Sequence, residues 1–341
     1  MKVKVSVIVF GLVLLWDNYS VHFGKIFDIL AIIVVMTALI FKHNRFRIDY
    51  NAKIFICIYI LMLIMTSLYS KNIFYAALFV AGLFVFIYFY LNPISVVAIE
   101  KFIIIAVVLQ VVDLCHFVIW GSSIEFLPAS LFGDKHNDVG FFRPIGIFYE
   151  ANAYATTLLY LSILLYIKTQ RRYLNLASFS MIGSLSLFGI VSGFYQLWVI
   201  SNFKRKLFVL IGGVILITLL IYINFVFIDI FVYRITNFWS DPSFQARLGL
   251  GKWQFGILPM SPDPAVTGKL IAGNQLGYYL GSLGVVFLLI LIAYFVILNY
   301  FKVRLSIIGY LFLLCVSYQT TTYMFSYALL GTYFGLRNDK R

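Results

Sequence analysis

The chain has 341 residues, of which 62% are hydrophobic and only 11% charged, with a mean hydropathy of +0.97. A soluble domain of this length fills its core with far fewer apolar residues, so the composition argues against a water-soluble globule. The net charge of +13 would suggest nucleic acid in a soluble protein. In a chain this apolar it reads as the basic bias of cytoplasmic loops, and no nucleic-acid partner is expected.

A bilayer core of roughly 30 Å is crossed by about 20 apolar residues in a helix, which satisfies its own backbone groups. A transmembrane barrel would instead alternate apolar and polar residues. Runs such as Ile54–Thr66 and Phe208–Ile223 are apolar on every face, so the expected fold is all-α, a polytopic transmembrane helical bundle. Met1-Lys-Val-Lys and the apolar stretch after it mimic a signal peptide. No small-residue cleavage pattern precedes Trp16-Asp17-Asn18, so the stretch reads as a retained first helix.

In chain order, the apolar segments lie near 3–16, 24–41, 54–69, 73–91, 102–120, 150–167, 173–188, 189–202, 207–228, 274–299, 305–319 and 321–336, which predicts about 12 helices in a single transmembrane domain, 1–341. The pair 173–188 and 189–202 is tightly joined around Phe188-Gly189. With both termini cytoplasmic, about 18 of the 26 Lys and Arg residues fall inside and about 8 outside, the asymmetry expected of a membrane protein. The three cysteines, Cys57, Cys115 and Cys315, lie in apolar segments with no spacing for zinc or a disulfide framework.

Two long stretches fall on the outer, periplasmic side: a first loop at 121–149 and a larger loop at 229–273. Together they hold six of the seven prolines (Pro128, Pro144, Pro242, Pro259, Pro262 and Pro264) and also Trp239 and Trp253. Ser243–Leu258 has the pattern of a short amphipathic helix lying on the membrane surface. Asp113 and His116 are three apart near the outer end of their helix, where a proton relay and an interfacial hydrogen bond are both open. The middle depth of the bundle looks nearly bare of polar groups.

Arg143, Arg234 and Arg247 sit on the outer side despite the topology rule. Guanidinium forks suit phosphate oxygens and stay charged, so three on one face suggest either a bound anionic group or interfacial arginines contacting lipid headgroups. Arg143-Pro-Ile-Gly-Ile-Phe-Tyr149-Glu150-Ala-Asn152 runs straight into an apolar helix. Glu150 and Asn152 fall at the helix start, where a carboxylate is favoured by the macrodipole and can cap free N–H groups. Capping alone does not account for Arg143 or for Gly146 between them. A second stretch is Arg234 with Ser243-Phe-Gln-Ala-Arg247, and a third is Asn274-Gln-Leu-Gly-Tyr278 opening the tenth segment.

Arg-x-x-Gly-x-Phe-x-Glu-x-Asn opening a helix, then Arg and Ser-x-x-x-Arg in a long outer loop, then Asn-x-x-x-Tyr, resembles the bacterial O-antigen polymerases of the Wzy type, relatives of the O-antigen ligases. By motif the likeness covers roughly residues 140–300. It implies a GT-C-like enzyme of the bacterial inner membrane, with its active face periplasmic. The implied activity is polymerisation of undecaprenyl-diphosphate-linked oligosaccharide repeat units, releasing undecaprenyl diphosphate. The partners it implies are the lipid-linked donor and acceptor, membrane lipids and a chain-length-regulating membrane protein.

In those terms Glu150 is the base candidate, and Arg143 and Arg247 stand with it as catalytic residues. Arg234, Asn152, Asn274, Tyr278 and Tyr149 are substrate-binding candidates. Related ligases carry a histidine where this chain has Gly273, which favours polymerase over ligase. No cofactor or metal is expected: there is no Asp-x-Asp pair, and Asp134-Lys-His-Asn-Asp138 reads as a solvated loop. The alternatives are a ligase transferring polymer to lipid A-core and a multi-pass transporter or flippase of lipid-linked sugars. The tight pair 173–202 is the best feature of the transporter reading.

Overall fold

A computed structural model describes residues 5–18, 73–124, 126, 144, 146–148, 151–167, 171–184, 186–202 and 324–338, with isolated helical positions at 50, 52–54, 56–57, 60 and 211. The described residues are helical, with no strand among them. The helices are α1 (Val5–Asn18), α2 (Ile73–Leu91), α3 (Val96–Trp120), α4 (Ala151–Ile167), α5 (Arg171–Gly183), α6 (Leu187–Ile200) and α7 (Met324–Asn338). Among them α3 alone is long and apolar enough to cross a membrane. The segments expected at 24–41, 274–299 and 305–319, most of 54–69 and of 207–228, and the loop 229–273 lie outside the described residues.

Helix α3 starts six residues before the expected segment. Pro93 cannot continue α2, and the Ser95 hydroxyl then caps α3 by accepting from the Ala98 N–H at 3.3 Å. The cap lets the helix take in Glu100 and Lys101, which read as interhelical in the sequence. One face of α3, carrying Ala98, Ile99, Ile103, Ala106, Gln110 and Asp113, is buried. Its other face is almost wholly aliphatic and exposed, including Val97, Ile105, Val108, Val111 and Val118. The buried face therefore holds Gln110 and Asp113 while the exposed face is mostly aliphatic, the reverse of a helix on a water-soluble protein.

The pair α5–α6 turns at Ser184–Ser186, earlier than the Phe188-Gly189 joint expected from the sequence. Ser186 is the reason: its hydroxyl accepts from the Gly189 N–H at 2.8 Å and starts α6 there. Gly189 instead supplies close approach. A Cβ on it would lie 2.5 Å from the Met181 carbonyl oxygen, and one on Gly193 would lie 2.6 Å from that of Ser178. At the open end of the hairpin, Gln196 Nε2 donates to the Leu174 carbonyl at 2.6 Å. Arms of 13 and 14 residues reach about 20 Å, short of a bilayer core of roughly 30 Å. The turn is buried, with Ser184 and Ser186 both within 1% of full burial.

Helices α2 and α7 pack through glycine as well. Gly82 lies under the Tyr327 ring, and Gly331 and Gly335 lie on the backbone carbonyls of Phe86 and Tyr90. Gly331-Thr-Tyr-Phe-Gly335 thus forms a small-residue stripe that brings two backbones together. Aromatic contacts join α1 to this pair and to α3, with Phe10 5.9 Å from Phe89 and 5.3 Å from Phe102, ring centre to ring centre.

Candidate functional site

Gln110, Asp113 and His116 are three residues apart along α3, and each reaches a different piece of chain. The two N–H bonds of the Gln110 amide go to backbone carbonyls, those of Pro144 at 3.1 Å and Ser180 at 3.0 Å. Its amide oxygen accepts from the Tyr154 hydroxyl at 3.1 Å and from the Ser180 hydroxyl. Two lone pairs meet two hydroxyls, so this amide is fully satisfied. The Tyr154 and Ser180 hydroxyl oxygens also lie side by side, and the Ala106 carbonyl lies 3.5 Å from Tyr154, but each hydroxyl has one proton and here directs it to Gln110. Gln110 therefore ties α3 to α4, to α5 and to the segment that precedes α4.

Asp113 is completely buried. One carboxylate oxygen accepts from the Ile124 N–H at 2.9 Å and the other from the Gly146 N–H at 3.1 Å. His116 bonds through Nδ1 to the Ser122 carbonyl at 2.6 Å. A carbonyl only accepts, so Nδ1 carries the proton. The imidazole also stacks against Trp120, with ring centres 4.7 Å apart. Asp113 and His116 are thus each committed to backbone groups, which is the hydrogen-bonding reading of the pair.

The course of the chain explains these bonds. After Trp120, Gly121 closes α3 in the left-handed conformation, with its N–H on the Phe117 carbonyl at 2.8 Å. The chain then runs back beside the helix it has left, so that Ser122 meets His116 and Ile124 meets Asp113. The segment before α4 reaches lower still. Gly146 has φ +60, and a Cβ there would lie 3.1 Å from Leu109 and 3.2 Å from the Gln110 nitrogen. Glycine is favoured at this position by its left-handed dihedral, and any Cβ would press on its neighbours. Phe148 packs edge-on against Tyr154 at 5.0 Å.

Gln110 lies ten residues before the end of α3, about 15 Å along the axis. The turn at 144–148 and the start of α4 are therefore recessed below the C-terminal end of α3, and the buried α5–α6 hairpin reaches the same level through Ser180. This depth reads as nearly bare in the sequence, but the described residues place a polar node there. Non-helical backbone buried among apolar helices needs hydrogen-bond partners for its N–H and C=O groups. Here the groups of α3 satisfy it.

Of the residues marked in the sequence, Asn152 is the second residue of α4, and its side chain lies outside the described residues. Arg143, Tyr149, Glu150, Arg234, Arg247, Asn274 and Tyr278 also lie outside them, as does Asp134–Asp138. The described residues include no cluster of three metal-ligating side chains. What the structure adds is the support under the Arg143–Asn152 stretch: Gln110, Tyr154, Ser180 and the backbone role of Asp113. The sequence signal for it was the Gln110-x-x-Asp113-x-x-His116 spacing, a polar stripe on one face of an apolar helix.

Among the described residues, fold and site define a set of helices, one of them long and apolar enough to cross a membrane, whose buried polar stripe organises two irregular chain segments. No known protein family, curated protein or solved structure matches the chain.

Proposed function

We propose that the chain is a polytopic inner-membrane polymerase of the O-antigen type, joining lipid-diphosphate-linked oligosaccharide units on the periplasmic face. The observation that carries this reading is the turn between Arg143 and Glu150, whose backbone is anchored at Pro144 and Gly146 and whose Phe148 packs on Tyr154. A guanidinium and a carboxylate flank a segment that cannot drift, at the start of a helix recessed beside α3. The aliphatic exposed face of α3 suits lipid contact.

The reaction breaks the bond from an anomeric carbon to a diphosphate, through an oxocarbenium-like transition state. Negative charge grows on the departing diphosphate, so arginines beside it favour the transition state over the ground state. Arg143, Arg234 and Arg247 take that role. Glu150 removes the proton of the acceptor hydroxyl, and Asn152, Asn274, Tyr149 and Tyr278 orient the sugars. Product is a chain longer by one unit on the acceptor lipid, with undecaprenyl diphosphate released.

Transport of a lipid-linked sugar is the second reading. The short α5–α6 hairpin and the polar node favour it, because transporters build their sites from interrupted helices at mid-depth. Deleting the gene separates the two. A polymerase deletion leaves single repeat units on the lipid A-core and removes the ladder of long chains on a polysaccharide gel. A flippase deletion leaves no repeat unit on the core at all, and a persisting full ladder refutes both. In the polymerase case, Arg143→Ala, Arg247→Ala and Glu150→Ala each abolish the ladder at normal membrane abundance.

A further inference from the structure

We propose that Asp113 is a positioning residue for the reaction: its carboxylate closes the neck of the loop between residues 124 and 146 and so fixes the chain leading into α4. This rests on the polymerase reading above. The two oxygens of this single buried side chain hold backbone N–H groups at both ends of the excursion, Ile124 on the outgoing side and Gly146 on the returning side. Every other hydrogen bond described for the neck comes from the same helix. His116 holds Ser122 on one side, and Gln110 holds Pro144 on the other.

The geometry makes Asp113 the crossing point of the neck. His116 reaches only the outgoing segment and Gln110 only the returning one. Among the described residues Asp113 alone spans both, and a side chain on Gly146 would press against Leu109 and Gln110. A carboxylate suits this task because it is acceptor-only with several lone pairs, and bonds from N–H groups to it are stronger than those to a neutral acceptor. Asparagine at the same place presents one acceptor and one amide N–H group, so it keeps one bond and sets donor against donor at the other. Leucine keeps neither.

The reacting groups proposed for the chemistry are chain neighbours of this anchored turn. A displacement of about 1 Å in such groups costs on the order of 100-fold in rate, because turnover depends on attack geometry more than binding does. Loosening the neck therefore lowers kcat well before it changes KM. A purely structural role would lower the amount of folded protein and leave kcat per folded molecule intact.

The test uses the full-length protein in lipid nanodiscs, as wild type, Asp113→Asn and Asp113→Leu. Amide hydrogen exchange is followed by mass spectrometry, and polymerisation is followed with a lipid-linked repeat unit. Exchange in peptides covering 121–126 and 144–148 is expected to rise in the order wild type, Asn, Leu, with α4 and α5 peptides unchanged. In the same order kcat per folded molecule falls, by about 10-fold or more for Asn, with KM moving by less than about 3-fold. Equal exchange in all three proteins overturns the clamp. Raised exchange with unchanged kcat overturns its role in the reaction. Absence of turnover in the wild type removes the polymerase reading and the positioning role with it, while the exchange rates still decide whether the clamp exists. Where Asp113→Leu does not fold, Asp113→Asn alone carries the comparison.

Discussion

Helices α2 and α7 are held together by the absence of side chains, and α3, α4 and α5 by side chains that reach across. In the first pair, Gly331 and Gly335 let one helix lie on the carbonyls of Phe86 and Tyr90, and Gly82 makes room for the Tyr327 ring. In the second group, the Gln110 amide and the Asp113 carboxylate bond to groups on four other segments of chain. The difference follows from the backbone each must accommodate. Two regular helices satisfy their own N–H and C=O groups, so only shape has to match. The turns at 121–124 and 144–148 have no such internal ladder, and unpaired backbone groups in a packed interior are costly, so α3 supplies partners for them.

The largest loss is expected on the glycine side. Gly331→Leu drives a side chain into the Phe86 carbonyl, and neither helix backbone can give way without separating. Overpacking at such a contact is expected to cost about 3 kcal/mol. The midpoint of thermal unfolding in detergent should drop steeply, while hydrogen exchange at 144–148 in the protein that remains folded stays as in the wild type. An unchanged midpoint means that the two helices do not approach as closely as described.

Next in size is Gln110→Leu, of similar volume and without polar atoms. It leaves the Pro144 carbonyl and the Tyr154 hydroxyl short of their Gln110 partner, and Ser180 loses one at both its carbonyl and its hydroxyl. Stranding buried polar groups in this way should cost about 2 kcal/mol. The distinguishing feature is where the damage appears. Exchange should rise at 144–148 and around Ser180 while α2 and α7 peptides remain protected. Uniform loosening of both regions contradicts the separation of the two packing modes.

The same contrast governs what the sequence discloses. The ends of α2 match the apolar run 73–91, and α4 and α7 fall within a few residues of theirs, because turn and charge residues bound those runs. The start of α3 is masked by Glu100 and Lys101, which suggest a loop when the Ser95 cap is not weighed. Gly189 suggests a turn, whereas it serves a close contact in the first turn of α6; a glycine letter does not say which of its two uses applies. For the node, the three-residue spacing of Gln110, Asp113 and His116 is visible locally. Their partners at Gly146, Tyr154 and Ser180 are up to 70 positions away, and nothing in a local pattern encodes such pairing. Arg143, Glu150, Arg234, Arg247, Asn274 and Tyr278 stand on motif and order alone, since they fall outside the described residues.

The smallest expected effect gives the finest resolution. Tyr154→Phe removes a single hydroxyl from the node and keeps the ring that packs edge-on against Phe148. The Gln110 amide oxygen keeps its bond from Ser180, so the loss should be near 1 kcal/mol, the net worth of one buried hydrogen bond. Combined with Gln110→Leu, the two effects should not add, because the leucine has already taken away the acceptor that the tyrosine would lose. A double variant about 1 kcal/mol less stable than Gln110→Leu alone means that the Tyr154 hydroxyl is held by the Ala106 carbonyl and Ser180 instead. A double variant equal to Gln110→Leu means that the amide organises the node and the hydroxyls follow it. That outcome differs from α2 and α7, where the close approach at Gly331 and Gly335 is onto backbone carbonyls and no single polar group organises it.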